Sequence, residues 1–204
     1  MKHYILLFLA VALLSCAKED LHGPLKLKNG QVVELFVNHQ YGSTEDRILK
    51  LPNKEDAGAA LYYFEDRQPG YTYRVKAKFV FTETPLEDSP SYWYEYLATV
   101  AKEKHTGNDP FEIEIIQAYI PGGPTIQMNK KGNDYFIRSD KIQLTYANDA
   151  VRSQLEEIWQ NALEMRNNYL SNQFPKWKSV KATVNHDPQK FGSAYLVQKI
   201  QFTP

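Results

Sequence analysis

From residue 71 to residue 82 the chain alternates with a period of two. Tyr71, Tyr73, Val75, Ala77, Phe79 and Phe81 fall on one side, and Thr72, Arg74, Lys76, Lys78, Val80 and Thr82 on the other. Alternation held this long predicts a half-buried strand with a basic outer face. Burying Tyr73, Val75, Phe79 and Phe81 contributes roughly 1.5–3 kcal/mol each before chain entropy is charged. After a connection carrying Pro85 and Pro90, residues 92–104 return as a second long strand. A ribbon of two strands is unstable alone, so the shorter runs at 32–38, 47–51 and 60–64 are expected beneath it. Gln68-Pro69-Gly70 supplies the turn, proline fixing one φ and glycine permitting a positive one.

A polar, glycine-containing linker, His105 to Pro110, separates this series from a second one. Strands are predicted at 111–120, 125–129, 135–138, 141–146, 177–186 and 194–202, with turns at Pro121-Gly122-Gly123-Pro124 and Asp187-Pro188. Between them Val151, Leu155, Ile158, Trp159, Ala162, Met165 and Tyr169 recur every three or four residues, the spacing of a helix over 148–170. Asn148 or Asp149 can cap it, and Pro175 bars its continuation.

A helix placed before a final hairpin is the order of an OB-type barrel. The predicted fold is therefore mainly β (α+β): two tandem antiparallel, OB-like β-barrel domains at 32–104 and 111–204, the second with one long amphipathic helix at about 149–170. One continuous antiparallel sheet with the helix on one face is the alternative. Links between the strands look too short for parallel crossovers. The two halves also share a pattern: Val75-Lys76-Ala77 and Val180-Lys181-Ala182 each open a strand that runs to a proline turn, then a strand with tyrosine near its start. That pattern predicts a divergent internal duplication.

The N-terminus changes the picture of where this body resides. Lys2 precedes an unbroken apolar run from Tyr4 to Leu14, then Ser15 and Cys16, the one cysteine of the chain. About eleven apolar residues make a helix of ~16 Å, far short of a ~30 Å hydrocarbon core. Residues 1–15 therefore read as a signal peptide. Leu13-Leu14-Ser15-Cys16 resembles a bacterial lipobox, and Ala17-Lys18-Glu19-Asp20 resembles the tag that sends Bacteroidota lipoproteins to the cell surface. The resemblance implies cleavage before Cys16, triacylation at Cys16, and an outer-membrane, cell-surface protein held to the membrane by its lipid, since two or three chains anchor firmly where one does not. Residues 16–31, with Gly23-Pro24 and Asn29-Gly30, are expected to form the lipidated tether.

Charge excludes more than it suggests. Of 24 basic and 24 acidic residues only Lys2 lies in the leader, so the remainder is nearly neutral and has no basic block for nucleic acid. With Cys16 acylated, no thiol remains for a disulfide or a thiolate metal site.

The run from Gln68 to Lys104, with Pro69-Gly70-Tyr71, Tyr73-Arg74, Lys76, a proline loop and Tyr94-x-Tyr96-Leu97, resembles an uncharacterised bacterial family of exported domains that sometimes accompanies the META domain. The resemblance covers residues 31–104. It implies an exported, sheet-forming domain and carries no activity with it.

Catalytic templates are missing from the sequence. There is no HExxH, Walker A, G-x-G-x-x-G or G-x-S-x-G. His22, His39, His105 and His186 are far apart in sequence, so neither a metal site nor a cofactor is expected. His186-Asp187 reads as part of a turn, and Glu112 and Glu114 as alternating polar positions of a strand whose paired carboxylates would be needed by a hydrolase.

Aromatic surface remains. Tyr92, Tyr94 and Tyr96 share one strand face and Trp93 takes the other, so one set is expected to be exposed. Trp177, between Lys176 and Lys178, is a further candidate. Tyr92, Trp93, Tyr94, Tyr96 and Trp177 are the predicted ligand-binding residues of a non-catalytic binding module for a glycan or an envelope protein. An envelope structural or stress-related scaffold is the second expectation, and a hydrolase the third.

Overall fold

The computed structural model describes residues 20–119, 123–167 and 174–204. The apolar leader, Cys16 and the expected helix end at 168–170 lie outside them. Among the described residues the protein is mainly β, with one helix.

The first half opens with a small hairpin, β1 (Leu21–His22) and β2 (Leu27–Lys28). Six strands follow: β3 (Val32–Val37), β4 (Ile48–Lys50), β5 (Glu55–Asp56), β6 (Leu61–Tyr62), β7 (Tyr71–Phe81) and β8 (Tyr92–Lys104). Their order in the sheet is β5-β4-β3-β7-β8-β6. The alternation of β7 is realised, with Tyr73, Val75, Ala77 and Phe79 buried beside Val33, Leu35, Val37 and Tyr94. Two register shifts between β7 and β8 leave Leu97 and Val100 without partners. These bulged residues are among the exposed large apolar side chains. An extra residue on one strand strengthens twist, and two of them curl the ribbon over its own core.

The stretch expected to be a tether is folded from residue 21 onward. Leu27 is buried in the first core, Gly30 N–H donates to Phe79 O at 2.8 Å, and Phe79 N–H donates to Gln31 O at 2.8 Å. His22 stacks on Phe81 with ring centroids 3.7 Å apart. Apolar Leu25 and Leu27 gain more by covering the sheet than by spacing it from a membrane.

The second half contains β9 (Phe111–Tyr119), β10 (Gly123–Ile126), β11 (Met128–Lys131), β12 (Asp134–Ile137), β13 (Ile142–Tyr146), helix α1 (Asp149–Asn167), β14 (Ser179–His186) and β15 (Ala194–Thr203). The sheet order is β10-β9-β14-β15-β13-β12-β11. Its two ends are β10 and β11, separated by Gln127 alone, whose N–H donates to Ile115 O at 2.7 Å. One bent stretch of chain therefore borders both margins, and the sheet curls round. Asn148 Oδ1 accepts from Val151 N–H at 3.0 Å and caps α1. Val151, Leu155, Ile158 and Ala162 are its buried positions, and all but Ala162 belong to the second core.

Two pairings correct the expectation of a wholly antiparallel fold. β6 runs parallel to β8 and β13 runs parallel to β15. A parallel neighbour needs a long return path. Between β13 and β15 that path is α1 with β14, and between β6 and β8 it is β7.

The halves meet along three segments. Residues 38–47 of the first reach the second: Thr44 N–H donates to Glu112 O at 3.0 Å, Ser43 bridges to Ile113, and Tyr195 Oη donates to Tyr41 O at 2.8 Å. Arg67 holds this loop from beneath, pairing with both carboxylate oxygens of Asp46 at 2.5 and 3.1 Å and covering the Tyr41 ring. Gly70 closes the junction. Its φ is +82°, and a Cβ there would stand 2.6 Å from the Phe191 ring, so only glycine fits.

Candidate functional site

Consecutive residues Tyr62 and Tyr63 both point outward, which a regular strand forbids. The reason is local: Tyr63 has φ +65°, the left-handed region, which reverses the chain after β6. Tyr63 is left 71% exposed, and Phe64 turns inward to stack on Tyr96 at 4.6 Å and meet Tyr73 edge-on at 4.9 Å. A bulky side chain in this region costs about 1–2 kcal/mol. The fold carries that cost while presenting a tyrosine to solvent.

Trp93 stands beside them. It projects from the outer face of β8, opposite Val80 of β7, with its ring 6.4 Å from Tyr62 at 60°. Its Nε1–H donates to Glu95 Oε1 at 3.4 Å. Glu95 also pairs with Lys78 at 2.7 Å, and these two bonds, Lys78 first, hold its carboxyl below the usual range. The connection from β7 to β8 forms the other wall, closed by Thr82 N–H to Ser91 O at 2.9 Å and turned by Ser89 N–H to Leu86 O at 2.9 Å. Together Tyr62, Tyr63, Trp93, Pro85, Leu86 and Pro90 shape a groove of about 370 Å³, with Thr82, Thr84 and Ser89 adding hydroxyls.

Of the residues expected from sequence, Trp93 alone lines this groove. Tyr92, Tyr94 and Tyr96 take the opposite face. Tyr94 is 1% exposed, its hydroxyl donates to Ala57 O at 3.3 Å, and burial pushes its phenol up to about 12. Tyr92 donates to Gly58 O, and Tyr96 meets Thr99 Oγ1 at 3.0 Å. Both are partly buried against the first core. Trp177 is a core residue of the second half, packed on Phe202 at 4.7 Å. Tyr94 and Trp177 therefore offer no face to a ligand here. Tyr62 and Tyr63 were hidden in a run read only as apolar, and the signal available was the pair of adjacent tyrosines ahead of Phe64 and two acids.

Three histidines remote in sequence meet at the junction of the halves. His39 Nδ1 lies 2.8 Å from His186 Nε2, and His39 stacks on His105 at 3.5 Å. Phe111, Phe191 and Tyr195 surround His186. Burial first, then the neighbouring imidazoles, lowers both His39 and His186 to about 4, so both are neutral at pH 7. Among the described residues no three His, Cys, Asp or Glu side chains are placed to hold a metal ion. Asp187, buried beside His186, accepts from Thr145 Oγ1 at 2.6 Å.

Glu112 and Glu114 do not converge on a cavity. Glu112 faces Lys181 at 3.3 Å, and Glu114 accepts from Gln117 at 2.6 Å. A larger cavity of about 490 Å³, lined by Lys130, Tyr135, Arg152 and Glu156 among others, is a polar strut. There Lys130 and Tyr135, each 2.5 Å away, hold the Glu156 carboxyl down to about 2 and tie α1 to the β11–β12 hairpin.

Comparison with protein-family models, curated proteins and solved structures finds no match, and the aromatic groove is thus read from its own residues.

Proposed function

We propose that this chain is a cell-surface lipoprotein, acylated at Cys16, that binds a glycan or a protein segment in the Trp93 groove without turning it over. The observation that carries this reading is three aromatic side chains, one held outward by a left-handed backbone, around an open cleft. Aromatic rings held outward against solvent are the usual anchors of recognition surfaces. Non-catalytic action is supported by Glu112 and Glu114, each of which is occupied by a basic or amide partner. An OB-like description of each half is supported by a shared order, β4-β3-β7-β8-β6 in the first and β10-β9-β14-β15-β13 in the second, with the last member of each set parallel to the fourth.

Retention on washed, isolated envelopes tests the groove. Wild-type protein lacking the lipid should be retained, and Trp93→Ala should reduce retention about tenfold, the loss of one hot-spot contact. Equal retention of the two would remove the groove from the function. Intact-mass analysis of membrane-extracted protein tests the anchor: an unmodified N-terminus would reject acylation at Cys16.

A further inference from the structure

Resting on that binding reading, we propose that the groove's occupant is an extended, proline-containing stretch of a partner protein that carries arginine or lysine. The nine lining residues are uncharged, but the loop that supplies one wall is not. The loop over residues 82–91 contributes Glu83, Glu87 and Asp88, all exposed, and no basic residue. Of the basic residues on the same face of β7, Lys78 is the nearest in register to Trp93 and is already held by Glu95 at 2.7 Å, and Lys76 and Arg74 lie further along the strand. A cation seated beside these carboxylates gains from them, and it can lie on the faces of Trp93 or Tyr62. A neutral glycan gains nothing from that charge, and an anionic one is repelled.

The backbone form follows from the edge. β6 borders the groove and is two residues long, and Tyr63 then turns the chain away. Too little ladder is left there for an added strand. A polyproline II segment needs none: it has no internal hydrogen bonds, turns once in three residues, and docks its prolines in slots between aromatic rings. Tyr62 and Trp93, in edge contact at 6.4 Å and 60°, form one ridge, and Pro85, Leu86 and Pro90 of the loop form the other wall of such a slot.

The test is fluorescence anisotropy on the folded protein without its lipid, using labelled decapeptides of alternating arginine and proline or alternating glutamate and proline, with chitohexaose as competitor. At about 50 mM salt the arginine–proline peptide should bind at least about tenfold tighter than its glutamate counterpart, and the advantage should shrink as salt rises. Trp93→Ala should weaken it about tenfold, Trp93→Phe by much less, and the triple variant E83Q/E87Q/D88N about threefold or more. Circular dichroism identifies any variant that fails to fold, and Trp93→Phe keeps a ring in place if Trp93→Ala does fail. Equal binding of both peptides, or no effect of either Trp93 change, would overturn the proposal. Displacement of neither peptide but direct, Trp93-dependent binding of chitohexaose would also overturn it, while leaving the groove as a binding site. Failure of the groove itself is read separately, from envelope retention.

Discussion

The two halves arrange corresponding strands alike and fill them differently. In each, the first strand of the main sheet lies between the second strand and the penultimate one, and the last strand runs parallel to a middle one. Val75 and Ala77 of β7 and Val180 and Ala182 of β14 occupy the matching buried places. The second half inserts α1 before its final hairpin and buries Leu155 and Ile158 completely. The first has a short turn there, and Phe64 with Arg67 does the plugging. The smaller plug leaves Tyr62, Tyr63 and Trp93 uncovered beside it. The comparison teaches that one strand order can be a covered base in one half and leave an aromatic groove open in the other, according to what covers its sides.

The largest expected effect tests the base. Leu155→Ala removes a fully buried side chain from the helix–sheet interface and should lower the unfolding free energy by about 3–4 kcal/mol, measured by urea titration. A loss under about 1 kcal/mol would mean that α1 is not the plug of the second half. Phe64→Ala tests the counterpart and should cost about 3 kcal/mol, because the ring is 8% exposed and touches both Tyr73 and Tyr96. If it costs less than an exposed substitution such as Leu86→Ala, the analogy between turn and helix fails.

The junction gives the next effect. His39 and His186 titrate at about 4 when folded, against 6.5 for the free side chain. Above pH 6.5 both are neutral in either state, and their contribution is complete. Between 6.5 and about 4 the unfolded chain takes protons that the folded one refuses, so stability falls with pH across that window. For two touching imidazoles, His186 buried and His39 partly so, the loss is about 2–3 kcal/mol in total. Carboxylates titrate over the lower part of the same range, so the measurement is the difference in pH slope between wild type and His186→Gln. The variant should lose about half of the histidine part, and identical slopes would show that the cluster does not couple the halves to pH.

Legibility differed between pattern and proximity. β7 and the helix followed from period, and the long strands β8, β9, β14 and β15 from runs of eight residues or more set off by turns and linkers. β6 is shorter than a detectable period, and the groove depends on it. The hairpin at 21–28 carried turn residues that read as tether, because Leu25 and Leu27 reveal their burial only against a sheet. The histidine cluster joins positions 39, 105 and 186, a convergence made by topology. Trp93 was legible because alternation forces it to the face opposite Tyr92 and Tyr94; which face would be covered depended on the rest of the fold.

The smallest effect on stability separates the two roles most sharply. Tyr63 is largely exposed, so replacing it removes little buried area, and its φ of +65° suits glycine. Tyr63→Gly relieves about 1–2 kcal/mol of backbone cost and adds about 0.5–1 kcal/mol of unfolded-state entropy, for a net change between zero and about 1 kcal/mol of stabilisation. The same substitution removes one wall of the groove and should weaken retention on envelopes several-fold. A residue kept for packing shows the opposite pair of results, destabilisation with retention unchanged. Stability held or raised while binding falls would mean that the strained tyrosine serves the surface of the first half and not its core.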